Sequence, residues 1–274
     1  MNECLSNGMT FAERASMSVN RMIGQMGIRF SSGTTIRDSA NIVIIGYGGT
    51  ENKENVKVLR SGSIATLFND DTIPVLYFKE KLSNLEVGSY EIDCELKQFT
   101  TPKAWGDAVI SSALDITRAL LAKWMEWTKE YRDDDGNIVV HDDLLYPVPV
   151  IINFTSANIQ VTNQAIELAK RIMNIELPDG NPLVINCIYD KRPAIMGFPS
   201  MSKYVDLQYK EFSSISSSIP NEILHEMKDI YGFPYVKRDS KFLFLNPDYG
   251  TLGSLIQAIL WSDDRGTGPN IIMR

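Results

Sequence analysis

The chain has 274 residues, 44% of them hydrophobic, and a formal net charge of -7, enough apolar material to bury a substantial core in one decorated domain. An acidic surface repels phosphate backbones and anionic lipid head groups, so nucleic acid and membranes are not expected as partners. The histidines are His141 and His225 and the cysteines Cys4, Cys94 and Cys187, which excludes a multi-histidine metal cluster and, without a CxxC pair, a disulfide framework or zinc knuckle.

Along residues 10–26, Phe11, Ala12, Ala15, Val19, Met22, Ile23 and Met26 recur at three- and four-residue spacing and predict a helix with one buried face. A polar turn at 31–35 leads into 40–46, a short β-branched run that predicts an interior strand covered on both faces. Residues 56–59 and 63–68 read as a further strand or hairpin, and 74–79 and 90–96 as weaker strands. Residues 104–130 carry an apolar stripe through Ile110, Leu114, Leu121 and Trp124 that predicts a long amphipathic helix. Asp133, Asp134, Asp135, Gly136 and Asn137 then predict a solvated turn in a surface hairpin.

A second buried-strand run at 148–154 is followed by a helix at 159–175, strong turn chemistry at 178–182, and a third buried strand at 183–189. Strand, helix, strand in that order implies right-handed crossovers. The expected fold class is α/β: a doubly wound, mostly parallel central sheet with helices on both faces. A loop at 192–200, a serine-rich stretch at 213–218, a helix at 220–231 opened by Pro220, a strand at 241–245 and a helix at 249–261 complete it. One domain with insertions is expected over 1–263, with a flexible tail at 264–274. No apolar run has bilayer length and residues 1–9 lack a basic region followed by an apolar stretch, so a cytoplasmic protein with reduced thiols is expected.

In doubly wound sheets, ligands sit outside the carboxyl ends of the strands. Three loops stand out there: Asn2-Glu3-Cys4-Leu5-Ser6 before the first helix, Phe99-Thr100-Thr101-Pro102 before the long helix, and Phe154-Thr155-Ser156-Ala157 after a buried strand. With the order of elements over roughly the first 190 residues, they resemble the loops of a von Willebrand factor type A domain, whose metal ion-dependent adhesion site reads Asp-x-Ser-x-Ser, Thr and Asp. The resemblance implies that Asn2, Cys4 and Ser6 stand at the first-loop positions, Thr101 at the threonine and Ser156 at the second aspartate, with Ser6 and Thr101 the remaining metal ligands. Both aspartates are missing, and neutral donors beside a thiol suit a hard cation poorly. The resemblance therefore implies a degenerate site, binding Mg²⁺ weakly or not at all. The family's first strand is central in the sheet and precedes the first loop, yet here Met1 alone precedes Asn2. A central strand missing from the chain as given would leave two unpaired edges, which suggests a true start upstream.

Other candidates read as ordinary structure. Gly46, Gly48 and Gly49 after an apolar strand suggest a phosphate-binding turn, but no GxGxxG exists and an apolar helical stripe does not follow. The acidic residues at 133–135 and 142–143 lack EF-hand spacing, and His141 beside Asp142 has no accompanying nucleophile motif. The apolar residues of 194–201 suit either an exposed contact patch or burial. The expected function is non-catalytic protein–protein recognition by an accessory subunit of a multi-protein cytoplasmic system, through the loops at 2–8, 100–106 and 155–159. The alternatives are a nucleotide-binding Rossmann-like enzyme using the turn at Gly46 and Gly49, and a purely structural subunit.

Overall fold

The first helix, α1 (Phe11–Phe30), is fixed at its start by a reciprocal pair. Thr10 Oγ1 accepts from Glu13 N at 3.2 Å while Thr10 N donates to Glu13 Oε2 at 2.7 Å, so two donors at the helix start are satisfied. The helix buries Phe11, Ala12, Ala15, Ile23 and Met26, the expected stripe, and continues a turn beyond it. The computed structural model describes residues 8–48, 56–84, 88–103, 109–132, 138–140, 148–177, 180–192, 196–198, 207–229, 233 and 235–260.

Antiparallel pairs follow. β1 (Ser31–Ser32) and β2 (Thr35–Ile36) flank Gly33, whose φ of 63° favours glycine. β3 (Asn41–Tyr47) pairs with β4 (Val56–Ser63), a short helix α2 (Ile64–Asn69) follows, and β5 (Val75–Asn84) pairs with β6 (Gly88–Lys97). After the long helix α3 (Ile110–Lys129), β7 (Glu130–Arg132) pairs with β8 (Ile138–Val140). That pair frames the expected acidic hairpin, whose turn at 133–137 lies outside the described residues.

The reading of 40–46 as an interior strand is corrected. Its apolar run forms one side of a two-stranded ribbon, with Val43 45% exposed and only Ala40 and Ile44 buried. A β-branched run reports burial potential, and an antiparallel ribbon realises it on one face only. The stretch 63–68 is likewise helical, because Ser63 caps α2 by accepting from Thr66 N at 3.2 Å.

The central sheet has the order β11-β12-β10-β9. β9 (Val150–Ser156), β10 (Leu183–Tyr189) and β12 (Leu243–Leu245) run parallel, and β11 (Met196–Gly197) is antiparallel to β12. α4 (Asn163–Met173) joins β9 to β10, α5 (Leu207–Ser214) and α6 (Asn221–Asp229) precede β12, and α7 (Tyr249–Leu260) follows it.

Alternation along β10 assigns the two faces. Ile185 and Cys187 pack with Phe244 against Ile223 and Met227 of α6 and Leu255 and Ile259 of α7. Val184 and Ile188 pack with Leu243 against Leu168 and Ile172 of α4, Leu114 of α3 and Phe212 of α5. All seven residues of β10 are buried, and each buried Ile or Leu contributes about 1.5–3 kcal/mol. Helices thus cover both faces of a three-stranded parallel core. Apart from β11, the other strands among the described residues form separate antiparallel pairs, so the fold is mixed α/β and the parallel sheet is smaller than expected.

The serine-rich stretch has a specific task. Ser217 Oγ accepts from Val184 N at 2.9 Å, and Ser217 N donates to Val184 O at 2.9 Å. Ser216 Oγ, fully buried, accepts from Asn186 Nδ2 at 2.8 Å and donates to Phe212 O at 2.8 Å. Asn186 in turn accepts from Asn153 Nδ2 at 2.8 Å, and Asn153 Oδ1 accepts from the Tyr47 hydroxyl at 2.6 Å. A buried polar chain therefore crosses the sheet with its donors and acceptors paired. Burial pushes the Tyr47 phenol up to about 12. Among the described residues, no helix is long and apolar enough to cross a membrane.

Candidate functional site

The carboxyl ends of β10 and β12 are tied together by one asparagine. Asn246, at φ 46°, adopts a left-handed conformation that its short polar side chain tolerates. Its N–H donates to Ile188 O at 2.8 Å, its Oδ1 accepts from Asp190 N at 2.8 Å, and its Nδ2 donates to Arg192 O at 2.6 Å. The chain leaving β10 is therefore held over the end of β12.

That turn builds an ion-pair cluster. Asp190 Oδ1 accepts from Arg192 N at 3.1 Å, and Oδ2 accepts from Arg192 Nε at 2.7 Å, Arg192 Nη2 at 2.5 Å and the Tyr209 hydroxyl at 2.6 Å. Arg192 Nη2 also donates to the Tyr209 hydroxyl, and the guanidinium carbon lies 4.8 Å from the Tyr209 ring centre. Burial alone would raise the Asp190 pKa, but hydrogen bonds from Arg192 and Tyr209 outweigh it and hold the carboxyl below its ordinary range. The Asp190 side chain is 13% exposed and that of Arg192 49%. The result is a guanidinium fixed in orientation against Asp190 and Tyr209.

α1 supplies a second cation to the neighbourhood. Arg14 Nη2 donates to Pro247 O at 3.0 Å, and its guanidinium lies 5.7 Å from the Tyr189 ring and 5.8 Å from the Tyr249 ring. One turn on, Ser18 Oγ is 2.7 Å from the Tyr189 hydroxyl, and burial raises that phenol's pKa far above its usual value. Arg21 stacks 4.1 Å from the Tyr249 ring and pairs with Glu80 Oε1 at 2.9 Å. The same helix clamps the loop before α3: Thr100 O accepts from Ser16 Oγ at 2.8 Å and Asn20 Nδ2 at 2.9 Å, while Thr100 N donates to Asn20 Oδ1 at 2.9 Å.

Of the residues expected at the site, Asn2, Cys4 and Ser6 lie outside the described residues. Thr101 is exposed beside the clamped Thr100. Ser156 ends β9, is 3% exposed, and is the Cα partner of Tyr189. The helix thus grips the second loop at Thr100 through Ser16 and Asn20, and through Ser18 it holds Tyr189, the β10 residue beside Ser156. Thr101 is exposed, Ser156 is enclosed, and the Asp190 carboxylate is engaged by a guanidinium, a set that suits a hard cation poorly.

Gly46 lies within β3, paired with Lys57, and beyond Gly48, at φ 140°, the next described element is β4. A strand-to-helix phosphate turn would need a helix there. In the 194–201 segment Phe198 is 3% exposed, in edge-on contact with Phe233, Phe242 and Phe244, which favours burial over a contact patch at that residue.

Sequence reasoning missed Asp190, Arg192, Tyr209 and Asn246. The available signal was the charged run Asp190-Lys191-Arg192 directly after the most apolar strand, at the position where such sheets bind. No family model, curated protein or solved structure matches the chain.

Proposed function

We propose that the chain is a non-catalytic protein-recognition domain, an accessory subunit of a multi-protein cytoplasmic system, that receives an acidic group of its partner at the carboxyl-end rim of the parallel sheet. The observation that carries this reading is the Arg192 guanidinium, oriented by Asp190 and Tyr209 on a side chain that is 49% exposed. A guanidinium held in one orientation loses little further rotamer freedom on meeting a carboxylate, whose planar geometry it suits. The layout of helices on both faces of the parallel strands, and the second expected loop gripped by α1, support a von Willebrand factor type A-like architecture. In that architecture the rim would serve recognition with a guanidinium in place of the lost metal.

The test compares the wild-type chain with Arg192→Gln in affinity purification from the native cell, read by mass spectrometry at matched bait levels. A partner recovered with wild type and lost with the variant, while circular dichroism stays unchanged, supports the proposal. Equal recovery refutes the role of the rim. Calorimetry with ATP, NAD and Mg²⁺ supplies the contrast: tight nucleotide binding would overturn the non-catalytic reading, and tight Mg²⁺ binding the degenerate site.

A further inference from the structure

β9 is the outer strand of the central sheet. Its hydrogen-bonding parity follows from its two ends: Leu183 N donates to Pro149 O and Ala157 N donates to Tyr189 O, both at 2.9 Å. In a parallel ladder alternate residues serve alternate edges, so the odd-numbered residues of β9 serve β10. Val150, Ile152 and Phe154 turn their N–H and C=O groups to the opposite edge. Among the described residues no strand pairs with that edge, although all three residues are half-buried. Backbone groups withdrawn from water and left unpaired carry a free-energy cost that an added strand removes.

The surroundings prescribe what such a strand looks like. On one face Ile152 packs with Met26 of α1 and Ile256 of α7, and Phe154 packs with Phe11 and Ala15. On the other face Ile151 packs against the apolar cluster of α3 and α4, Asn153 accepts from the Tyr47 hydroxyl, and Thr155 follows, fully buried. β3 therefore approaches β9 through a side chain, and no backbone pairing joins the two strands. A strand laid along this edge would point alternate residues into an apolar slot and into a mixed one lined by Ile151, Asn153 and the hydroxyl of Thr155. The two terminal stretches outside the described residues, 1–7 and 261–274, contain no alternating β-branched run: the first has no β-branched residue, and the second holds consecutive apolar residues only at Ile271, Ile272 and Met273. Those stretches are poor candidates to fill it.

We infer that the free edge of β9 is a strand-acceptor site that takes an extended segment of a partner polypeptide in which apolar and hydroxyl-bearing residues alternate. Main-chain hydrogen bonds to Val150, Ile152 and Phe154 supply affinity and the two-faced slot supplies selectivity, as in recognition by strand addition. The site is separate from Arg192 and stands whether or not the rim reading holds.

The test uses the full chain and an eight-residue peptide of alternating valine and threonine with lysine at both ends. Amide exchange is followed residue by residue by NMR. The expected result is exchange about tenfold slower at Val150, Ile152 and Phe154 with saturating peptide, the equivalent of about 1.4 kcal/mol of added protection per amide. Ile152→Pro removes an edge donor without touching the β10 ladder and is expected to abolish that protection. Val150→Pro, beside the existing Pro149, is the second variant should Ile152→Pro fail to fold. Arg192→Gln is expected to leave peptide protection intact. The inference is overturned if the peptide slows none of the three amides or if protection survives both proline variants. It is also overturned if the three amides already exchange slowly in the free chain and ignore the peptide, which would mean that a segment of the chain itself occupies the edge.

Discussion

Gly27 offers a direct measure of how closely α1 is packed. In an exposed helix, Gly→Ala gains about 1 kcal/mol from backbone entropy. Gly27, however, is buried, and a methyl group added there would sit 2.6 Å from Phe68 Cε2 and 2.7 Å from Cε1, with Cζ closer still. The ring has little freedom to retreat, since it is half-buried and lies 5.2 Å from the Phe99 ring. Overpacking of this kind costs about 1–3 kcal/mol, which exceeds the propensity gain. Gly27→Ala is therefore expected to destabilise by about 1–2 kcal/mol, a melting temperature lower by about 2–4 °C per kcal/mol for a protein of this size. Gly24→Ala is the internal control, because its added methyl meets only the Leu96 Cδ1 tip at 3.2 Å, and it should be close to neutral or stabilising. In a Phe68→Ala background the clash disappears and Gly27→Ala should stabilise by about 1 kcal/mol. Urea denaturation of the four members of this cycle gives the coupling. A Gly27→Ala protein more stable than wild type, or an absence of coupling to Phe68, refutes the packing argument.

Three further outcomes follow from individual groups. Asn186→Ala removes the fully buried junction between Asn153, Ser216 and the Ile215 carbonyl, stranding their polar atoms, and should lower stability on the order of 3 kcal/mol in urea titration. Asp190 binds its proton less tightly folded than unfolded. Its contribution is thus complete above the ordinary carboxylate pKa and is lost as pH falls through the depressed folded value. The stability gap between wild type and Asp190→Asn should accordingly shrink in acid; a gap unchanged with pH contradicts the ion pair. Cys187 is fully buried and burial raises its thiol pKa, so iodoacetamide should label it only at the rate of global unfolding, after the half-buried Cys94, as peptide mass spectrometry would show.

The elements buried on a regular period were legible in the sequence. Residues 148–154 and 183–189 read as buried strands because both of their faces are covered, and the stripes through Phe11 and Ile23, and through Ile110 and Leu114, read as helices because one face is. The sequence at 40–46 resembles those strands, and nothing local records that its partner is β4 alone, leaving Val43 outside. The serine-rich stretch was opaque for a related reason: Ser216 and Ser217 look like surface residues until β10 supplies Asn186 and Val184 as partners. At the rim, the cluster depends on residues far apart in sequence, Asp190, Tyr209 and Asn246, whose convergence only the sheet order creates. Thr101 lies in an exposed loop and Ser156 at an enclosed strand end, environments that their residue types alone do not distinguish.

The buried side of α1 explains why the rim and the β9 edge sit together. Ser16, Ser18 and Asn20 are 7%, 1% and 2% exposed on a helix whose other buried residues are mainly apolar, and unpartnered they would each cost about 1–3 kcal/mol. They are satisfied only because the Thr100 loop and Tyr189 come to them. Any displacement of α1 away from β9 would break these bonds together and would also separate Arg14 from Pro247. The helix is thereby fixed over the end of β10 through polar contacts, while Met26, a turn and a half further on, packs in the cluster that Ile152 joins.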